Sequence, residues 1–169
     1  TQDPTKIEVE SGAAVDATEN NINIDTTKAK LELKGETGIN ANGADVNVNG
    51  NTSISGNVGI NAENGNVTLN GSTDIAGTDA AIKAGEGGNV DINTNNSALN
   101  IKGDINANGG NITVDSGKAT GTINGDVTAA NGGNVEITLN DAQSKLTGSY
   151  NVDGDSSIVM NIKNVAVWN

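Results

Sequence analysis

The chain has 169 residues, enough for one domain, with 34% hydrophobic residues, 23 Gly and a net charge of −12 from nine basic and 21 acidic side chains. One Trp, one Tyr and no Phe leave no platform for stacking bases or sugar rings, and the acidic excess opposes nucleic-acid binding through counterion release. The absence of His and Cys removes imidazole and thiol chemistry and any disulfide framework, so catalysis would rest on carboxylates alone.

Residues 1–20 read as an N-terminal edge or capping segment. Thr1-Gln2-Asp3-Pro4 has no signal-peptide apolar region, and no apolar run approaches membrane-spanning length, so no membrane insertion of this segment is expected. From residue 21 onward apolar residues come in alternating pairs: Ile22 and Ile24, Leu31 and Leu33, Val46 and Val48, Val67 and Leu69, Val90 and Ile92, Ile112 and Val114, Val135 and Ile137. Alternation with β-branched residues on one side and Asn, Thr, Asp and Glu on the other predicts half-buried strands. No stretch has helical spacing over three turns.

Self-similarity sets the fold class. Gly-Asn-Val/Ile recurs at Gly65-Asn66-Val67, Gly88-Asn89-Val90, Gly110-Asn111-Ile112 and Gly133-Asn134-Val135, at spacings of 23, 22 and 23 residues. Val46 and Ile158 extend the column. A second column follows Ile54-Ser55-Gly56-Asn57-Val58, Ile101-Lys102-Gly103-Asp104-Ile105 and Ile123-Asn124-Gly125-Asp126-Val127, with Leu146-Thr147-Gly148-Ser149-Tyr150 as a looser copy. A unit of about 22 residues with three short strands cannot bury its inward face alone, whereas stacked copies build a continuous aliphatic column. The prediction is an all-β, right-handed parallel β-helix over residues 21–169, with Val46, Val67, Val90, Ile112 and Val135 stacked inward. At the corners Gly would supply positive φ, and Asn66, Asn89, Asn111 and Asn134 would form a structural amide ladder.

One corner breaks the regularity. From first to second column the distance is eight residues in two coils (Val46 to Ile54, Val67 to Ile75) and 11 in the next three (Val90 to Ile101, Ile112 to Ile123, Val135 to Leu146). The segments 94–97, 115–118 and 140–144 would stack as a polar ridge, with the added residues outside the core. Its candidate binding residues are Asn95, Asn96, Ser116, Lys118, Asp141 and Gln143, which offer donors and acceptors to a polar partner.

Dedicated chemistry is not evident. Asp104 and Asp126 share one column and Asp91 and Glu136 another, but the flanking coils place Ala81 and Ser149 beside the first, and all basic residues are Lys. Gly87-Gly88-Asn89-Val90-Asp91-Ile92 fails the nonapeptide calcium pattern at its fourth and sixth positions. No catalytic residue, metal site or cofactor is assigned, and the chain is read as not an enzyme.

With these corners, as in Asn106-Ala107-Asn108-Gly109-Gly110-Asn111-Ile112 and Ala129-Ala130-Asn131-Gly132-Gly133-Asn134-Val135, residues 20 to 169 resemble the passenger domains of Gram-negative autotransporter adhesins of the antigen-43 and diffuse-adherence type. The ending Val165-Ala166-Val167-Trp168-Asn169 is similar to the Trp-Asn signature where such passengers meet a C-terminal folding-assist region. The resemblance implies export across the outer membrane and display on the bacterial surface. It also implies attachment to a host-cell or matrix receptor, or to the same protein on neighbouring cells in aggregates and biofilms. The chain itself is expected to be monomeric in dilute solution. Two other readings are a spacer without a partner and a polysaccharide-active enzyme.

Overall fold

The computed structural model describes residues 3–163 and the strand Val167–Trp168. Strands pair in parallel with the strand one coil away, and they form three faces of a solenoid with about seven turns. On the first face Ile22, Val46, Val67, Val90, Ile112, Val135 and Ile158 lie in one register column. On the second the column runs Ile7, Leu33, Ile54, Ile75, Ile101, Ile123 and Leu146. On the third it runs Val15, Ile39, Ile60, Ile82, Ile105, Val127 and Tyr150. At a strand spacing of about 4.8 Å, eight levels make a rod roughly 34 Å long.

Alternation explains the core. Val46 and Val48, Val67 and Leu69, Val90 and Ile92, and Ile112 and Val114 are all buried, while the residues between them face out. Each fully buried aliphatic side chain contributes roughly 1.5–3 kcal/mol, and stacking repeats that contribution coil after coil. Strands run through corners where the perimeter bends gently: Val46–Glu63 crosses all three faces. The third face has its own signature, an Ile or Val followed two residues later by Ala, at Ile39-Asn40-Ala41, Ile60-Asn61-Ala62, Ile82-Lys83-Ala84, Ile105-Asn106-Ala107 and Val127-Thr128-Ala129. Ile60, not Val58, holds the place of Ile105; Val58 pairs with Ala80 because the second corner of that coil is longer.

The glycines of the Gly-Asn-Val corners serve a purpose other than the one expected. Gly65, Gly88, Gly110 and Gly133 do not have positive φ; the left-handed residues sit one place earlier, at Asn64 (51°), Gly87 (67°), Gly109 (82°) and Gly132 (79°). At Gly88 the requirement is close approach, since a Cβ there would lie 2.1 Å from the Ala62 carbonyl oxygen. The corner asparagines likewise keep ordinary backbone, and left-handed Asn occurs instead at Asn64, Asn95, Asn96 and Asn131.

The N-terminal segment supplies Thr5–Glu8 to the second face and Ala13–Ala17 to the third, with Val15 and Ala17 buried. Glu8 accepts from Lys34 at 2.7 Å and lies 2.6 Å from Lys6. Hydrogen bonds from Lys34 and then Lys6 hold its carboxyl down at about 2.

Candidate functional site

The outer surface of the first face is a lattice of side-chain amides. Asn89 Nδ2 donates to Asn66 Oδ1 and Asn111 Nδ2 to Asn89 Oδ1, both at 2.7 Å, and Asn134 Nδ2 donates to Asn111 Oδ1 at 2.9 Å. Asp45 accepts from the Asn66 amide at one end, and Ser157 Oγ donates to Asn134 Oδ1 at the other. Parallel in-register pairing dictates this: identical outward residues recur one strand spacing apart, where one amide's N–H reaches the next amide's oxygen. Shorter ladders join Asn40 to Asp16, Asn61 to Asn40, and Asn70 to Asn49.

The ridge lies at the corner between first and second faces. Asn93 pairs with Asp115 in register, and each caps its turn with its side chain: the Asn95 N–H donates to Asn93 Oδ1 at 3.0 Å, and the Gly117 N–H to Asp115 Oδ1 at 2.7 Å. The Lys118 N–H donates to Asn96 Oδ1 at 2.8 Å, which ties the two turns together. In the third coil the strand Asn134–Leu139 runs further, so the turn comes later. There Asp141 Oδ1 accepts from the Gln143 N–H and from Thr120 Oγ1, both at 2.9 Å. Asn95, Asn96, Lys118 and Gln143 are exposed and Asp141 is half-buried.

Ser116 stands apart from the other five. It is fully buried, and its Oγ donates to the Thr138 carbonyl at 3.4 Å. Thr94 and Ser144 also face inward, and Ser144 Oγ accepts from the Gly121 N–H at 2.9 Å. Each hydroxyl therefore satisfies itself against backbone inside the corner and is unavailable to a partner. The added residues are not an appended loop either. In the three coils that start at Val90, Ile112 and Val135 the second corner shortens as the first lengthens: Ile101 to Ile105 is four residues, against six for Ile54 to Ile60 and seven for Ile75 to Ile82. The perimeter is redistributed at nearly constant length.

The sequence reading missed that the earliest coil has the same corner. Ile22 to Leu33 is also 11 residues, Asp25 Oδ1 accepts from the Thr27 N–H at 3.0 Å, and buried Thr26 donates through Oγ1 to the Asn49 carbonyl at 3.1 Å. The available signal was an Asn/Asp followed by Thr or Ser at Asp25-Thr26, Asn93-Thr94 and Asp115-Ser116.

Asp104 and Asp126 are stacked, and their oxygens are engaged in the corner: Asp104 Oδ1 accepts from the Asp126 N–H at 2.9 Å and Asp126 Oδ1 from the Ser149 N–H at 2.7 Å. Asp153 accepts from the Asn131 N–H at 2.8 Å and from Ser156 Oγ. Among the described residues no group of three or more His, Cys, Asp and Glu side chains is placed to hold a metal ion.

These bonds have a pH signature. The Ser149 N–H lowers the Asp126 carboxyl, Ser156 lowers Asp153, the Thr27 N–H lowers Asp25, and Lys34 with Lys6 lowers Glu8. A depressed folded-state pKa stabilises the fold above the ordinary carboxylate value and stops doing so as pH falls through the folded value. The thermal midpoint is expected to fall between about pH 4.5 and pH 2, and Asp126→Asn should flatten part of that decline; an unchanged slope in the variant contradicts the assignment.

Comparison with known proteins finds no matching family model, no similar curated protein and no similar solved structure. Of the Trp-Asn ending, the strand Val167–Trp168 pairs with Lys145 and Leu146, and Val165, Ala166 and Asn169 lie outside the described residues.

Proposed function

We propose that this rod is an adhesive segment of a bacterial surface protein of the autotransporter kind, which attaches cells to host tissue, matrix or one another through the ridge between its first and second faces. One observation carries the reading: two consecutive turns, Asn93–Ser97 and Asp115–Ala119, present exposed amide and ammonium groups while their own shape is fixed by the hydrogen bond from the Lys118 N–H to Asn96. A pre-shaped polar edge loses little entropy on contact. With no aromatic anchor available on it, single contacts are weak and attachment depends on many displayed copies. The regular coils from Val46 to Asn89 favour a second reading, in which the segment is a spacer of a larger adhesin that holds a more distal binding region away from the cell and has no partner of its own.

Lys118→Glu combined with Gln143→Lys changes the ridge without touching the buried Thr94, Ser116 or Ser144. Bacteria displaying this variant should adhere or aggregate several-fold less than the parent, with the thermal midpoint of the purified rod within a few degrees, a change under about 1 kcal/mol. Undiminished adhesion at equal display would leave the spacer reading.

A further inference from the structure

Seven asparagines are followed directly by glycine, the pairing in which a backbone nitrogen most readily attacks the preceding side chain, because glycine has no Cβ to block the approach. The fold treats one of the seven differently. In four pairs the glycine N–H is engaged by a backbone carbonyl of the next coil, as in the bonds from Gly109 to Ala130 at 2.9 Å and from Gly125 to Thr147 at 3.0 Å. Gly50 lies within the paired strand Val46–Glu63, and Gly65 is buried. The Gly132 N–H instead meets a hydroxyl: it donates to Ser156 Oγ at 3.1 Å, and Ser156 Oγ donates in turn to Asp153 Oδ1. The other oxygen of Asp153 accepts from the Asn131 N–H at 2.8 Å, which fixes the carboxylate against the same turn. Asn131 and Gly132 are the centre of that turn, with φ of 53° and 79°, and the Gly133 N–H closes it on the Ala130 carbonyl at 2.9 Å. Both residues are exposed, and apart from chain neighbours nothing lies within 4 Å of a Cβ placed on Gly132. The outer side is therefore open for the turn to rotate about Asn131 and for the Asn131 side chain to leave the bond from its Nδ2 to Asn108 Oδ1.

We propose that Asn131–Gly132 is a self-modifying site, at which Ser156 and Asp153 draw the proton from the Gly132 nitrogen as that nitrogen closes on the Asn131 side chain. The new bond joins Gly132 N to Asn131 Cγ, while the N–H proton passes to Ser156 Oγ and the hydroxyl proton passes to Asp153 Oδ1. The bond from Cγ to Nδ2 then breaks. Nδ2 takes a proton back along the same path and leaves as ammonia, and a five-membered succinimide remains. Water opens that ring at either carbonyl. Opening at Cγ gives aspartate, and opening at the main-chain carbonyl gives isoaspartate, which carries the main chain through one extra methylene between Val127–Ala130 and Asn134–Leu139. Either product places a new negative charge in the corner that holds Asp153.

The inference is independent of the adhesive reading. After the 169-residue chain is incubated in warm neutral buffer, peptide mass mapping should show conversion at Asn131 several-fold ahead of Asn108 and Asn124. In denaturant the relay between coils is lost, and the three pairs should convert at similar rates. Ser156→Ala and Asp153→Ala should each slow conversion at Asn131 several-fold in the folded chain and leave Asn108 unchanged. A merely structural role predicts the opposite sign, since a loosened corner frees the same nitrogen and speeds its reaction. Conversion at Asn131 no faster than at Asn108 in the folded parent, or a Ser156→Ala protein that converts there as fast as the parent or faster, would each overturn the proposal.

Discussion

Ile112→Asp is expected to unfold the middle of the rod. Ile112 is 1% exposed, paired in register with Val90 on one side and Val135 on the other, so a carboxylate there has only aliphatic neighbours in its column. An unpaired charge in such surroundings costs several kcal/mol, added to the packing lost with the isoleucine. Because each coil is stabilised chiefly by its two neighbours, the loss spreads to the coils around residues 90 and 135 before it reaches the ends. Chemical denaturation with hydrogen exchange should show protection lost first in residues 89–139, and the midpoint falling far more than for Thr113→Asp. Thr113 sits on the same strand, faces solvent and serves as the control. Equal effects from the two substitutions would contradict the inward placement of Ile112.

Gly88→Ala is expected to be nearly as damaging, although it adds a single methyl group. Its Cβ would meet Ala62 backbone at 2.1 Å from the oxygen and 2.6 Å from the carbonyl carbon, and neither atom can rotate aside. Relief requires the coils on either side to separate at that corner, which disturbs the hydrogen bond from the Asn89 N–H to the Gly65 carbonyl and the amide rung between Asn89 and Asn66. Overpacking of this kind costs typically 1–3 kcal/mol. At Gly132, which has positive φ but nothing within 4 Å of a Cβ, Gly132→Asn should cost much less, because Asn tolerates the left-handed region. A midpoint scan of the two variants separates the requirement for space from the requirement for φ.

The contrast explains what the sequence could convey. Inward columns on the first and second faces were legible because alternation and a 21–23-residue recurrence both point to the same residues. The third face was harder to read: the second corner varies from four to seven residues, so counting from Ile54 lands on Val58 when the backbone places Ile60 there. The recurring Ile-x-Ala was the better guide. Glycine identity was plain but its cause was not, since close approach and positive φ select the same residue. Ser116 was read as exposed because a corner serine gives no sign of its direction. Only the Thr138 carbonyl one coil away accounts for the hydroxyl's turning inward. The 11-residue corners were visible, yet the compensating short corners that hold the perimeter constant emerge only from the register between coils.

That constancy also shapes the decisive experiment on function. Cutting three residues from each ridge corner would shorten the perimeter, whereas exchanging whole coils preserves it. The informative protein replaces the stretch Val90–Asn134, which bears the two linked ridge turns, with a second copy of the ridge-free stretch Val46–Asn89 and carries Asp141→Asn and Gln143→Ala in the remaining turn, keeping the rod's length and its first-face amide column. Bacteria displaying it at parental levels are predicted to lose adhesion and aggregation while the isolated rod keeps its parallel-β spectrum. Adhesion equal to the parent's would contradict the account, and this segment would then be a spacer.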